Sequence, residues 1–178
     1  MFLANIPRRA LAPLLLLVAV GCKRSVTVEV EQSEIQQRLA AKFPVQKPVL
    51  LGTISLENPN VILRENSDRI GVALDAKLTL PLFPPYIGKL TVSGKPAYRP
   101  AEKAFYLQEA ALESFEVSGL PAAQAEALRG PTEIVARSVL DSFPVYQFDQ
   151  RNWKEVSAEH VLQSVKVENG KLHATLGL

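Results

Sequence analysis

Arg69-Ile70-Gly71-Val72-Ala73-Leu74-Asp75-Ala76-Lys77-Leu78-Thr79-Leu80 decides how the rest of the chain is read. Ile70, Val72, Leu74, Ala76, Leu78 and Leu80 fall on one face of an extended chain, and Asp75, Lys77 and Thr79 on the other. A period of two held this long is the pattern of a strand buried on one side, and a sheet with one wet face is typically antiparallel. Lys89 to Tyr98 repeats the pattern, with Leu90, Val92 and Tyr98 inward and Lys89, Thr91, Ser93 and Lys95 outward. Upstream from there, Leu50, Ile54 and Leu56 keep the same period from Pro48 to Asn58-Pro59-Asn60, which reads as a turn. Downstream, Phe105 to Val117 is a further strand whose alternation slips between Leu107 and Leu112, the mark of a bulge.

Helical spacing flanks this block. Val26, Val28 and Val30 alternate as a first strand, and Ser33 offers an N-cap ahead of Ile35, Leu39 and Phe43, with Pro44 ending that helix. Pro121 to Phe143 carries an apolar stripe of Leu128, Ile134, Val135, Val139 and Leu140. Gly130-Pro131 interrupts it, because proline lacks an N–H and clashes one turn back, so a kinked long helix or two helices in tandem are expected. Val145 to Phe148 suggests a short strand, and Ser157 begins a helix through Val161 and Leu162. Val165 and Val167, the Asn169-Gly170 pair, and Leu172, Ala174 and Leu176 form a closing hairpin. Strands in a block with helices outside it predict an α+β domain, its helices packed on one sheet face.

The first residues read as a leader rather than as part of this domain. Arg8 and Arg9 precede Ala10 to Val20, which is uncharged and centred on Leu14 to Val18. That is about half the length a bilayer-spanning helix needs, and matches the apolar region of a signal peptide. Val18-Ala19-Val20-Gly21-Cys22 resembles the lipobox of bacterial lipoproteins, though Ala19 stands where that family most often has leucine. The resemblance implies cleavage between Gly21 and Cys22, removal of residues 1–21, and lipid on the Cys22 thiol, leaving residues 22–178 as one domain. Cys22 is the sole cysteine, so no internal disulfide is available to an exported chain. Lys23 follows where aspartate would signal retention at the inner membrane, so the expected place is the outer membrane, facing the periplasm. The whole chain has 20 basic and 18 acidic residues. Losing Arg8 and Arg9 leaves it neutral, with no electrostatic footprint for nucleic acid.

Groups able to converge on a reaction are scarce. The two histidines, His160 in the expected last helix and His173 on the wet face of the hairpin, read as surface imidazoles. No His/Cys/Asp/Glu spacing suits zinc, and there is neither a glycine-rich phosphate loop nor a G-x-S-x-G elbow. Glu109, Glu113 and Glu116 lie within one strand as solvated residues. The expectation is a protein that is not an enzyme and takes neither cofactor nor metal.

Apolar residues are in surplus instead. Leu80-Pro81-Leu82-Phe83-Pro84-Pro85-Tyr86-Ile87-Gly88 joins the two best strands without a charge, where connections are normally polar. Two readings stand: Leu82, Phe83, Tyr86 and Ile87 contact a membrane or line the mouth of a cavity, or the loop folds back to cap the core. A sheet curled loosely about the 121–143 helix would leave an apolar channel for a phospholipid or fatty acid. Leu74 and Leu78 would line it from the sheet, and Ile134 and Val135 from the helix. A fully packed core is the competing reading, and with it an envelope protein-interaction module without a ligand cavity, its partner not legible here.

Val26 to Ile35 leading into a first helix, the Arg69–Leu80 strand, the proline-broken helix and Phe143-Pro144-Val145-Tyr146 follow in an order similar to the YceB-like lipoproteins of Gram-negative bacteria. That resemblance covers nearly all of residues 22–178. It implies half of a bactericidal/permeability-increasing protein fold, of the tubular lipid-binding type. Such a fold is a strongly curved antiparallel sheet wrapped around a long kinked helix, here with an extra N-terminal helix and a C-terminal hairpin. The family has no established catalytic residues to carry over.

Overall fold

A computed structural model describes residues 25–49, 52–148 and 161–178. Along the chain, β1 (Ser25–Glu31) runs straight into α1 (Gln32–Ala40), followed by β2 (Val45–Val49), β3 (Gly52–Leu63), β4 (Ile70–Thr79), β5 (Tyr86–Arg99) and β6 (Ala104–Val117). After these come α2 (Ala122–Ser142), β7 (Tyr146–Gln147), β8 (Val161–Glu168) and β9 (Lys171–Gly177). All pairings are antiparallel, in a six-stranded sheet ordered β2-β3-β4-β5-β6-β7 and a separate three-stranded sheet ordered β1-β9-β8. Strand makes up 56% of the described residues and helix 21%.

This corrects the expected architecture. No sheet wraps a central helix. α1 lies over β3 and α2 mainly over β6, side by side with the inner face of the large sheet. The composition of α2 gives the reason. A helix enclosed by a sheet must be apolar all round, whereas α2 buries a single stripe, Thr132, Val135, Ala136, Val139 and Leu140. The closing hairpin also leaves the main sheet, because β9 pairs with β1 along Ser25–Glu31. The small sheet docks on the β3–β4 turn. There the Asn66 and Val167 N–H groups donate to the carbonyls of Val167 and Ser67 at 2.9 and 3.0 Å, and Glu65 accepts from the amides of Asn169 and Gly170.

Within the elements, β4 keeps the register its alternation predicts: Ile70, Val72 and Leu74 are buried, facing Val92 and Leu90 of β5. Asn58-Pro59-Asn60 is a bulge inside β3 rather than a turn. Asn58 takes the left-handed conformation (φ 49°), and pairing with β4 resumes at Asn60. The slip in β6 resolves into two irregularities against β5, one with Glu109 at φ 50°. Arg69 anchors it, donating from Nη2 to the Glu109 carbonyl (2.8 Å) and from Nε to Ser93 Oγ (3.0 Å). Ser33 lies inside α1 and caps nothing. α2 continues through Pro131 as one helix. Val161 and Leu162 open β8 instead of ending a helix, while Ser157, His160 and Leu50 lie outside the described residues. Asn169 and Gly170 both have positive φ, as a two-residue hairpin turn requires.

A candidate apolar slot under the helix

Cover on the inner face of the large sheet is uneven. At the end where β4 begins and α2 finishes, Tyr98, Phe105, Tyr146 and Phe148 stack with ring centroids 5.4–6.4 Å apart. Leu90, Leu107, Val139 and Leu140 are closed off with them. Toward the other end the burial fades along a single strand face. Ile70 and Val72 are fully buried and Leu74 is 2% exposed, but Ala76 and Leu78 remain partly open. The sequence repeats the same apolar alternation throughout, so the difference comes from what lies above.

What lies above is α2, and its two halves differ. From Thr132 on, its stripe is buried against the sheet. Between Ala122 and Gly130 only Ala125, Leu128 and Arg129 are even partly covered. Pro131 separates the halves: without an N–H it leaves the Ala127 carbonyl unbonded within the helix, facing solvent where both residues are exposed. Beneath the N-terminal half, Ile54, Ala76, Leu78, Tyr86, Gly88, Phe115 and Val117 meet Leu128 and Thr132 around a slot of about 20 Å³. Gly88 matters to its floor, since a Cβ there would stand 2.5 Å from the Glu116 carbonyl oxygen. In this form the slot admits roughly one water, whereas ligand pockets run to ~300 Å³ and more. Wider hollows, about 440 Å³ beside Phe43 and Asn58 and about 370 Å³ over Asp75, Lys89 and Glu116, are lined by polar as well as apolar residues.

The residues singled out from sequence are therefore dispersed. Leu78 and Tyr86 line the slot, while Leu74 is sealed beneath it in the core. Val135 packs into the core, and Ile134 is 70% exposed on the solvent side of α2. Leu82 and Phe83 stand out at the β4–β5 tip, 102% and 61% exposed, and Ile87 is 49% exposed beside Lys77 on the outer face. The loop does not cap the core. Gly21 and Cys22 lie outside the described residues. Sequence reading missed Ile54, Phe115, Val117 and Thr132 as slot residues. Alternation puts the first three on the inner face, but nothing in it says which inner-face residues the helix leaves open.

The ion-paired side chains lie elsewhere. Arg64 grips Glu113 with two bonds (3.0 and 2.6 Å), which holds the Glu113 carboxyl below the usual carboxylate range. Lys95 meets Glu109 at 3.2 Å, and His173 Nδ1 lies 3.7 Å from Glu29. Among the described residues no three His, Cys, Asp or Glu side chains gather as a metal site would need. No helix among them is long and apolar enough to cross a membrane.

Residues 30–171 match a family described as protein of unknown function (DUF1439). The chain belongs to the DUF1439 family. The DUF1439 match takes in α1, α2, the whole six-stranded sheet and β8, with only the end of β1 and the first residue of β9, and it begins after Cys22. No curated protein matches the chain.

Proposed function

We propose that this DUF1439 protein is a YceB-like lipoprotein of the bacterial envelope. In this reading it is held at the outer membrane, facing the periplasm, by acyl groups on Cys22. It binds the acyl chain of a phospholipid or fatty acid in the slot beneath the N-terminal half of α2. The observation that carries the binding reading is the uneven burial of one apolar face. The sheet presents Ile54, Ala76, Leu78, Tyr86, Phe115 and Val117 in one patch, and among the described residues its cover is a half-helix with little buried surface of its own. At about 20 Å³ the slot accepts a chain only when that half-helix lifts. Pro131 is where it would do so, because the break in hydrogen bonding lets the two halves move separately. The lipoprotein reading rests on Arg8, Arg9, the apolar stretch before Gly21, and Cys22 at the lipobox position. Binding rather than catalysis is supported by the carboxylates of the sheet, since Glu109 and Glu113 are engaged by cations on an open surface.

Native mass spectrometry of residues 23–178, produced in the periplasm and purified without detergent, tests the reading. A fraction of molecules should carry the mass of one fatty acid or phospholipid. A protein that stays empty, even after incubation with liposomes, rules the slot out as a lipid site.

The exposed tip favours a second reading, an interaction module for another envelope protein. Photocrosslinking from Phe83 in cells separates the two, with one dominant protein adduct favouring the module. Leu82→Ser with Phe83→Ser should weaken that contact and leave thermal stability within ~0.5 kcal/mol, as expected for exposed positions.

A further inference from the structure

One charged residue occupies a position where its neighbours are apolar. Lys47 of β2 stands directly across from Ile54, Ile54 across from Leu78, and Leu78 across from Tyr86. Directly opposed residues of an antiparallel sheet share a face, with Cβ atoms roughly 5 Å apart. The four therefore form one row on the inner face, and Ile54, Leu78 and Tyr86 are slot residues. The next row, Val45, Leu56, Ala76, Gly88 and Val117, is apolar throughout. Lys47 thus ends an apolar row at the edge strand, partly buried.

Its charge is unanswered among the described residues. Lys95, Lys166 and Lys171 each have a carboxylate partner within 3.2 Å, and Lys47 has none. The half-helix over the slot offers no acid in its first turn. An ammonium on a partly buried residue that ends the slot row is well placed to meet an anion whose tail occupies the slot. A single positive charge suits a single negative charge.

We propose that Lys47 is the head-group contact of the slot, and that the ligand it selects is a long-chain fatty acid bound as its carboxylate. This rests on the acyl-chain reading above. The ammonium donates to the carboxylate at the open edge of the sheet, and the hydrocarbon runs along Ile54, Leu78 and Tyr86 beneath α2.

Equilibrium binding of radiolabelled oleate, oleyl alcohol and oleylamine to the protein as purified from membranes separates the two claims. The three ligands share a tail and differ in head charge. Oleate should bind roughly tenfold more tightly than the alcohol at neutral pH, with the amine weakest. Lys47→Gln should abolish the advantage of oleate while leaving the alcohol unchanged, and Lys47→Arg should keep it. Equal binding of oleate and alcohol by the native protein overturns the role of Lys47 with the slot intact, whatever the variants do. A tail that binds in none of the three forms overturns the slot itself.

Discussion

Pro131→Ala is the substitution that most directly probes whether α2 is a movable cover. Proline in a helix interior costs about 3 kcal/mol relative to alanine, through the lost hydrogen bond and the clash with the preceding turn. Up to ~1 kcal/mol of this is offset because proline also restricts the unfolded chain. The net gain expected is about 2 kcal/mol. It belongs to the joint between the two halves: Val135, Ala136, Val139 and Leu140 already fix the C-terminal half, and Pro131 itself is exposed. Opening of residues 122–130 away from the sheet therefore has to break what the alanine adds. At 1.36 kcal/mol per factor of ten, the open population falls roughly thirtyfold. Hydrogen exchange resolved by peptide reads this directly. Amides of Leu128 to Gly130 should exchange about thirtyfold more slowly in the variant, those of Val135 to Leu140 should change little, and fatty-acid uptake should slow with the former. Exchange that is the same in both proteins, with the N-terminal half already as protected as the C-terminal half, would refute the idea of a cover hinged at Pro131.

The packing difference along α2 predicts unequal truncation costs. Leu140→Ala, at 1% exposure, should lose 2–5 kcal/mol in denaturant unfolding, and Leu128→Ala, only partly covered, about 1 kcal/mol or less; equal losses would mean that the N-terminal half is packed as firmly as the rest. The Arg64–Glu113 pair sets a pH dependence. Because the hydrogen bonds and charge of Arg64 depress the Glu113 carboxyl, its stabilisation is present above the unfolded value of about 4.3 and is lost as pH falls through the lower folded value. With side chains 48% and 31% exposed the pair is worth at most ~1 kcal/mol, so Glu113→Gln should cost that much at pH 7 and nothing in strong acid, measured by urea unfolding at both pH values.

Local structure was legible where a single period runs uninterrupted. The β4 alternation, the α1 stripe of Ile35 and Leu39, the irregular β6 and the Asn169-Gly170 hairpin all follow from side-chain spacing and turn chemistry. The errors fall where a local signal competes with distant pairing. Asn58-Pro59-Asn60 has turn composition, yet bonds from Gln36 hold it in place: its side chain donates to the Pro59 carbonyl (2.6 Å) and accepts from the Val61 amide (2.7 Å), so β3 runs on through a bulge. Val161 and Leu162 sit at helical spacing after Ser157, yet β9 draws them into a strand. Candidate-site reading failed for a related reason. Ile134 and Val135 are neighbours in one apolar stripe, and only the position of the helix axis over β6 decides that one is buried and the other open.

The amino-acid sequence by itself determined that this chain builds an antiparallel sheet with one apolar face. It also supplied the proline inside the second helix, because periodicity and backbone chemistry are properties of neighbouring residues, whereas the row that Lys47 ends exists only through pairing between strands. Tertiary structure alone decided that β1 takes the closing hairpin into a second sheet, that two helices share the inner face, and that the cover stops short over Ala76 and Leu78. Those outcomes depend on which surfaces meet. An apolar residue looks the same in the sequence whether it faces the packed half of α2 or the half that is barely held.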